Sequence, residues 1–124
     1  MLKTVWVVDD DEMNLRMAEF ILSQEGYEIV KLESGFECLR LLKKKNPDLI
    51  LLDVQMPLMN GIKTLEAIRA DRDTKEIPVL FLTASADTET VVEAGRLGVV
   101  DYVVKPFMPQ ELLKRVEKAL WKED

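Results

Sequence analysis

The sequence predicts an α/β fold with a single parallel sheet. Five short runs rich in Val, Ile and Leu alternate with stretches of helical periodicity. Three of the runs are almost uninterrupted, which is typical of strands buried on both faces of a parallel sheet. With 124 residues, 48% of them apolar, the chain suits one domain with its own core. We therefore expect one doubly wound domain, residues 1–124, with helices on both faces of the sheet.

The predicted strands are the five apolar runs themselves. The second run alternates between apolar and polar residues, as expected of a strand at the edge of the sheet. The pattern leaves the order of the strands in the sheet open. In chain order, the predicted strands span residues 4–8, 27–32, 48–52, 78–83 and 99–104.

Apolar stripes between these runs predict five helices. The first begins after Asp11 and stops before Gly26, a typical residue beyond a helix end. Ser34 and Glu37 have the spacing of a capping box at the start of the second. Gly95 makes the fourth helix the weakest, because glycine lowers helix stability. The last three are predicted in "GIKTLEAIRAD", "DTETVVEAGRLG" and "PQELLKRVEKALW".

Composition and charge exclude several classes of function. The 17 basic and 23 acidic residues give a formal charge of −6, which disfavours general binding to nucleic acid. No apolar run approaches the ~20 residues of a membrane span. The N-terminal residues lack the apolar stretch of a signal peptide. Cys38 is the single cysteine and there is no histidine, so we expect a packed thiol in a cytoplasmic protein.

Five polar side chains are predicted to meet at one edge of the sheet. Asp9 and Asp10 follow the first strand, Asp53 ends the third, Thr83 ends the fourth and Lys105 follows the fifth. The carboxyl ends of parallel strands lie along one edge, where open α/β sheets bind ligands. Each residue alone is common at a protein surface, so it is their joint placement that predicts a site.

The acidic residues predict a site for a hard divalent cation. Mg²⁺ prefers carboxylate oxygen and retains several waters. Asp10 and Asp53 would bind it directly, and Asp9 either directly or through a water molecule. Asp11 and Glu12 need no such explanation, because acidic side chains at a helix start interact favourably with the helix dipole.

Asp53 is the candidate nucleophile for phosphoryl transfer. A nearby cation keeps its carboxylate ionised, so that it can attack phosphorus. The transfer needs in-line positioning and positive charge at the equatorial oxygens. The cation and Lys105 would supply that charge, and Thr83 would supply a hydroxyl.

The chain resembles the receiver domains of two-component response regulators, of which the chemotaxis regulator is the simplest member. The matching blocks span essentially the whole chain, and their order and spacing are highly specific together. The resemblance implies a flavodoxin-like strand order of 2-1-3-4-5. The blocks read "VVDDD", "LLDVQMPLMNG", "FLTA" and "DYVVKPF".

The resemblance also implies a role for each residue of the site. Asp53 would be the phosphoacceptor, and Lys105 would pair with it. Asp10 would bind the metal directly, with Asp9 as the second acid. The backbone carbonyl of Gln55 would be the third protein ligand of Mg²⁺, for which Mn²⁺ can substitute.

A conformational switch is the next implication of the resemblance. Thr83 would bind the phosphoryl group and Tyr102 would turn inward as Thr83 moves, altering the face of helix four, strand five and helix five. The bond between Lys105 and Pro106 would be cis, a conformation that essentially requires proline. The domain would signal for a histidine kinase or phosphotransfer protein, assisting only its own phosphorylation and dephosphorylation.

The same face implies a possible homodimer. In the transcription-factor branch of the family, receivers dimerise there through charge pairs. Asp101, Glu111 and Arg115 match some of those charges, whereas Val91 and Val92 stand where a basic residue is expected. The dimer and the downstream effector therefore stay open at this stage.

Three other functions match parts of the same pattern. A haloacid-dehalogenase-like phosphatase also uses Asp, Mg²⁺, Thr and Lys, but its second Asp would stand at Gln55, which can serve as neither acid nor base. A flavodoxin-type nucleotide-binding module is weaker, because no glycine-rich phosphate motif follows the first strand. A degenerate receiver that only binds a partner would be expected to have lost site residues that are all present here.

Overall fold

The computed structural model describes residues 2–84 and 87–121, in which five strands alternate with five helices. The first half contains β1 (Thr4–Val8), α1 (Glu12–Ser23), β2 (Glu28–Leu32), α2 (Gly35–Leu42) and β3 (Leu49–Asp53). The second half contains α3 (Gly61–Ala70), β4 (Val79–Thr83), α4 (Thr88–Arg96), β5 (Asp101–Val104) and α5 (Pro109–Leu120). Met1 and residues 122–124 of the predicted domain lie outside the described residues.

The strands form one parallel sheet in the order β2-β1-β3-β4-β5, which confirms the fold class and the implied strand order. β2 lies at an edge, as its alternating sequence predicts. β1 and β3 are neighbours, with Val8 paired to Leu52. The residues that follow Val8 therefore lie beside Asp53, which ends β3.

The apolar strands divide the core between the two faces of the sheet. On one face Trp6, Ile50 and Phe81 pack with residues of α2, α3 and α4. On the other face Val5 and Leu51 pack with residues of α1 and α5. The central strands are buried on both sides, which explains why their sequences are nearly uninterrupted apolar runs.

Side-chain caps fix the helix starts next to the sheet edge. The Oδ1 of Asp11 accepts a hydrogen bond from the backbone N–H of Met13 at 2.9 Å, so Asp11, predicted at the helix start, is the N-cap of α1. The hydroxyl of Ser34 accepts from the N–H of Glu37 at 3.1 Å. The carboxylate of Glu37 in turn accepts from the N–H of Glu33, one residue before the cap.

Among the strands, the observed bounds differ most from the prediction at β5. The strand begins at Asp101 rather than at residue 99, because the N–H of Val99 donates to the carbonyl of Ala94 and completes the turn after α4. α1 ends at Ser23, and Gly26 lies beyond it with φ +85°. Among the helices of the described residues, none combines the length and apolar character needed to cross a membrane.

Candidate functional site

The ammonium of Lys105 joins two carboxylates at the carboxyl edge of the sheet. Its Nζ lies 2.9 Å from Oδ1 of Asp53 and 3.2 Å from Oδ2 of Asp9. Both carboxylates are buried, and the Lys105 side chain is 16% exposed. The peptide bond from Lys105 to Pro106 is cis. The fold therefore brings together residues that are far apart in the sequence.

Asp9, Asp10 and Asp53 form a cluster of three carboxylates. One oxygen of each lies within 4.8 Å of the others. Asp9 already uses both of its oxygens, because Oδ1 accepts from the N–H of Asp11 at 2.9 Å and Oδ2 accepts from Lys105. In the described part of the chain, Oδ2 of Asp53 is buried without a hydrogen-bond partner. Asp10 is exposed.

The electrostatics of the cluster oppose ionisation of Asp53. Burial raises the pKa of Asp53 to about 6, against an opposing hydrogen bond from Lys105, and the negative charges of Asp9 and Asp10 contribute to the rise. Burial lowers the pKa of Lys105, because it disfavours the charged ammonium. The hydrogen bonds and charge attraction to Asp53 and Asp9 outweigh this effect, so that the pKa of Lys105 lies above its ordinary value. A site with this surplus of negative charge favours an added cation.

Thr83 ends β4 and Gln55 follows β3, so both lie at the same sheet edge as the cluster. Thr83 is buried at the end of β4, next to Leu82, which pairs with Asp53. The N–H of Lys105 donates to the carbonyl of Thr83 at 2.7 Å. The side-chain Oε1 of Gln55 accepts from the N–H of Ala84 at 3.2 Å, which connects the loop after β3 to the end of β4. Sequence reasoning missed this contact, since it assigned a role only to the backbone of Gln55.

Gly61 is a further residue that sequence reasoning missed. A Cβ added at Gly61 would lie 2.3 Å from the carbonyl oxygen of Asp53 and 2.8 Å from Cα of Val54. The N–H of Gly61 donates to the carbonyl of Val54 at 2.8 Å. α3 therefore begins directly against the backbone of Asp53. The signal was present in the sequence as Asn60-Gly61, where Asn60 caps α3 and only glycine leaves room for the approach.

A family model for the response regulator receiver domain matches residues 5–117. The chain belongs to this family. Receiver domains are signalling domains, and the match covers all five strands except Thr4, the first residue of β1.

Relatives support the assignment of the chain as a receiver domain. It is 38% identical over 124 residues to the DNA-binding response regulator MtrA of Mycolicibacterium paratuberculosis, and the alignment covers all of this chain and 54% of that protein. The receiver domain therefore spans about half the length of the curated relatives it matches.

Solved structures share both its fold and its sequence. The chemotaxis protein CheY4 of Vibrio cholerae superposes with a TM-score of 0.92 at 33% identity, covering 97% of this chain and 100% of that one. The receiver domain of a sensor histidine kinase of Pseudomonas aeruginosa superposes with a TM-score of 0.87 at 26% identity, covering 97% and 98%. That second structure holds a magnesium ion coordinated in its active-site cleft.

The acidic cluster of this receiver domain fits a divalent cation. Receiver domains bind Mg²⁺ at an acidic site, and the donors here are carboxylate oxygens, which Mg²⁺ prefers. The buried and unpartnered Oδ2 of Asp53 is a second, independent indication, because a buried polar atom without a partner costs free energy. The negative charge of the cluster and the unpartnered oxygen of Asp53 therefore both favour a bound divalent cation.

The remaining predicted residues lie on α4, β5 and α5 of the receiver domain. Tyr102 is half-buried in β5, opposite Phe81 of β4, and packs against the core. Arg115 of α5 pairs within the chain with both Asp101, at 2.6 Å, and Glu111. Val92 is 58% exposed on α4.

The haloacid-dehalogenase alternative is not supported. The family match, the relatives and the solved structures all identify a two-component receiver domain. The side chain of Gln55, at the position of that family's second Asp, instead accepts a backbone hydrogen bond from Ala84.

Proposed function

We propose that this receiver domain accepts a phosphoryl group on Asp53 from a histidine kinase or phosphotransfer protein. The observation that carries the proposal is the state of the Asp53 carboxylate. One oxygen is held by Lys105, and the other is buried without a partner inside a cluster of acids. An oxygen of this kind is available to a cation or to phosphorus.

The transfer itself is a substitution at phosphorus. A carboxylate oxygen of Asp53 attacks the phosphorus of phosphohistidine, the P–N bond breaks, and the histidine nitrogen keeps the electron pair. The product is an acyl phosphate. The signal ends by hydrolysis: water attacks phosphorus, the P–O bond to Asp53 breaks, inorganic phosphate leaves and the carboxylate is regenerated. Lys105, 2.9 Å from Asp53, places positive charge where the phosphoryl oxygens gather.

Four protein groups would hold the cation. Asp10 and Asp53 would be the direct carboxylate ligands, and the backbone carbonyl of Gln55 would be the third protein ligand. Asp9 would act through a water molecule, because its two oxygens already accept from Asp11 and Lys105. Mg²⁺ supplies positive charge for the phosphoryl oxygens when bound, and Mn²⁺ serves as a substitute.

Switching follows from the added charge. The hydroxyl of Thr83 is drawn toward the phosphoryl group, because Thr83 ends the strand next to Asp53. Tyr102 then turns into the space that Thr83 leaves, and the face formed by α4, β5 and α5 changes. The chain signals through this face and performs no reaction on another substrate.

An exposed apolar stripe on α1 supports the idea of a protein phosphodonor. Met13, Met17 and Phe20 are 65%, 43% and 68% exposed, and their spacing places them on one side of the helix. The opposite side of α1 is buried in the core, and α1 starts next to the acids. The stripe offers a partner an apolar surface on the helix that begins next to the acids.

The proposal extends to the location of the protein and to its further partners. The domain, residues 1–124, works in the cytoplasm, and its charge of −6 argues against direct binding to nucleic acid. Relatives called DNA-binding are about twice as long, so an effector elsewhere would carry that activity. A homodimer through α4, β5 and α5 would have to compete with the pairs that Arg115 already forms within the chain.

Labelling with a small phosphodonor tests the proposal. With Mg²⁺ and acetyl phosphate, the mass of the chain should rise by one phosphoryl group. Asp53→Asn should abolish the gain, whereas Asp48→Asn, a matched change distant from the cluster, should retain it. Chelation of Mg²⁺ should also prevent labelling. Undiminished labelling of Asp53→Asn would refute the assignment of the phosphoacceptor.

A further inference from the structure

The guanidinium of Arg69 ties two loops together. Arg69 lies in the last turn of α3, and all three of its nitrogens donate to backbone carbonyls. Nη1 donates to Lys75 at 3.0 Å and to Ile77 at 2.8 Å, between α3 and β4. Nε donates to Leu97 at 2.9 Å and Nη2 to Gly98 at 3.2 Å, directly after α4. One side chain therefore fixes the end of α4 to the entrance of a buried strand.

The C-terminal end of α4 is also the end that packs against the core. Of the nine residues of α4, all of them described, only Ala94 is buried. The carbonyl of Ala94 accepts from the N–H of Val99 at 3.1 Å, and the N–H of Val100 donates to Val79 of β4 at 2.9 Å. This end of the helix is thus held by Arg69, by packing and by the sheet.

The N-terminal end of α4 is held only by local contacts among the residues that the structure describes. Asp87 caps the helix, with Oδ1 accepting from the N–H of Thr90 at 2.8 Å and Oδ2 accepting from its hydroxyl at 3.2 Å. Within the same described residues, the first turn donates to no other helix or strand. The two ends of α4 are therefore attached to the molecule very unequally.

We propose that residues 94–98, the hinge segment, form a hinge clamped by Arg69, about which the N-terminal part of α4 moves. Glycines at positions 95 and 98 suit this role. An added Cβ at Gly95 would meet nothing within 4 Å, and Gly98 has φ +74°. Because the C-terminal end of α4 is fixed, motion of the helix occurs at its N-terminal end, the end nearer to Thr83 in the sequence. The link from this hinge to signalling rests on the proposed function, whereas the hinge itself does not.

Amide hydrogen exchange of the unphosphorylated chain tests the hinge. The amides of Val92 and Glu93 should exchange faster than those of Leu97, Val99 and Val100, the reverse of simple fraying from the helix end. Arg69→Met removes every hydrogen-bond donor of the guanidinium. It should speed the exchange of the amides that follow α4 by about tenfold or more, while the amides of β3 stay slow. Arg69→Lys should give most of the same effect, because one ammonium cannot reach four carbonyls as the planar guanidinium does.

The matched control is Arg72→Met, because Arg72 is exposed and lies three residues from Arg69. It should leave the exchange pattern unchanged. Equal exchange at the two ends of α4 in the native chain, or an unchanged pattern in both Arg69 variants, would overturn the hinge. If Arg69→Met loses protection throughout the sheet, the Arg69→Lys variant decides the question instead.

Exchange after acetyl phosphate treatment then connects the hinge to the signal. Within α4 and the hinge segment, changes in exchange should be confined to amides before Ala94 in the native chain, and they should spread through the hinge segment in Arg69→Lys. Equal changes at both ends in the native chain would overturn a fixed hinge. A failure of labelling at Asp53 would sink the proposed function alone, because the clamp is measured in the resting chain.

Discussion

Nζ of Lys105 lies 2.9 Å from Oδ1 of Asp53, across 52 residues of sequence. The contact exists because β3 and β4 are neighbours and β5 follows β4 at the edge of the sheet. It places one positive charge against two buried carboxylates, those of Asp9 and Asp53. The ionisation of Asp53 therefore depends on Lys105, and this dependence can be measured.

Lys105→Met should raise the pKa of Asp53 above its value of about 6. The variant removes the hydrogen bond and the charge attraction that oppose the effect of burial, while the repulsion from Asp9 stays. A ¹³C carboxyl titration by NMR in metal-free buffer checks the shift. Lys31→Met, which loses an exposed ion pair with Glu19, is the control and should leave Asp53 unaffected. An unchanged Asp53 titration in Lys105→Met would contradict the prediction.

Asp53→Asn should stabilise the metal-free protein at neutral pH. The folded state disfavours ionised Asp53, because its pKa is raised from 3.8 to about 6. The resulting penalty is absent below the ordinary pKa, grows as the pH rises to about 6, and is constant above it. At neutral pH the neutral amide should gain about 1–2 kcal/mol in unfolding free energy, less than the full effect of the raised pKa because Lys105 loses its charged partner. Urea unfolding at acidic and neutral pH measures the difference, which should vanish below the ordinary pKa.

With Mg²⁺ bound, the native chain should become more stable than Asp53→Asn, the reverse of the order expected without metal. Binding to the folded state alone stabilises a protein by ~2.7 kcal/mol at a free ligand concentration of a hundred times Kd. The gain should be large above the pKa of Asp53, and smaller below it because protons compete for the ligand oxygens. Asp10→Asn should reduce the gain more than Asp11→Asn, since Asp11 is occupied as the cap of α1. Equal losses of Mg²⁺ stabilisation in the two variants would contradict the assignment of Asp10 as the metal ligand.

Gly61→Ala should destabilise the fold and disturb the site at once. The new methyl group would lie 2.3 Å from the carbonyl oxygen of Asp53, so either α3 or the end of β3 has to move. Overpacking of this kind costs about 1–3 kcal/mol. Gly95→Ala is the matched control, because its added methyl meets nothing within 4 Å and should gain about 0.5–1 kcal/mol in an exposed helix. Urea unfolding compares the pair, and equal effects would contradict the role of Gly61.

The sequence predicted the part of the site that depends on strand ends. Asp9, Asp53, Thr83 and Lys105 each end or follow an apolar run, and parallel strands share one carboxyl edge. Burial on both faces made those runs visible. The strand order did not follow from the pattern, because the same alternation of strands and helices fits several windings, and it was supplied by the family resemblance.

Contacts between loops could not be predicted in the same way. The bond from Ala84 to Gln55 and the four bonds of Arg69 depend on how two loops meet in space, for which the sequence has no period. In the sequence, Arg69 is indistinguishable from an ordinary exposed charge in the last turn of a helix. In the structure, its guanidinium donates hydrogen bonds to backbone carbonyls. The start of β5 was misplaced for a related reason, since Val99 is apolar but belongs to the turn after α4.

Gln55→Ala should free the amide of Ala84. The side chain of Gln55 is the observed acceptor for this N–H, at 3.2 Å, so its loss should speed hydrogen exchange at Ala84 about 2- to 10-fold, as expected for a net ~0.5–1.5 kcal/mol. Gln55→Glu keeps an acceptor of equal length and should keep the amide protected. Gln110→Ala, an exposed glutamine on α5, is the control. Equal exchange at Ala84 in Gln55→Ala and the native chain would show that the bond does not persist in solution.

Phe20→Asp should separate docking of a protein phosphodonor from the chemistry at Asp53. Phe20 is 68% exposed in the apolar stripe of α1, so a charge there should leave the fold intact and weaken binding of the donor. Phosphotransfer from a histidine phosphotransfer protein that labels the native chain should slow about tenfold, while labelling by acetyl phosphate should not change. Phe36→Asp is the matched control, since Phe36 is 49% exposed on α2, which packs on the opposite face of the sheet. If the two variants lose phosphotransfer from the protein donor equally, the α1 stripe is not the docking surface. If Phe20→Asp also loses labelling by acetyl phosphate, the substitution acts on the phosphorylation site itself.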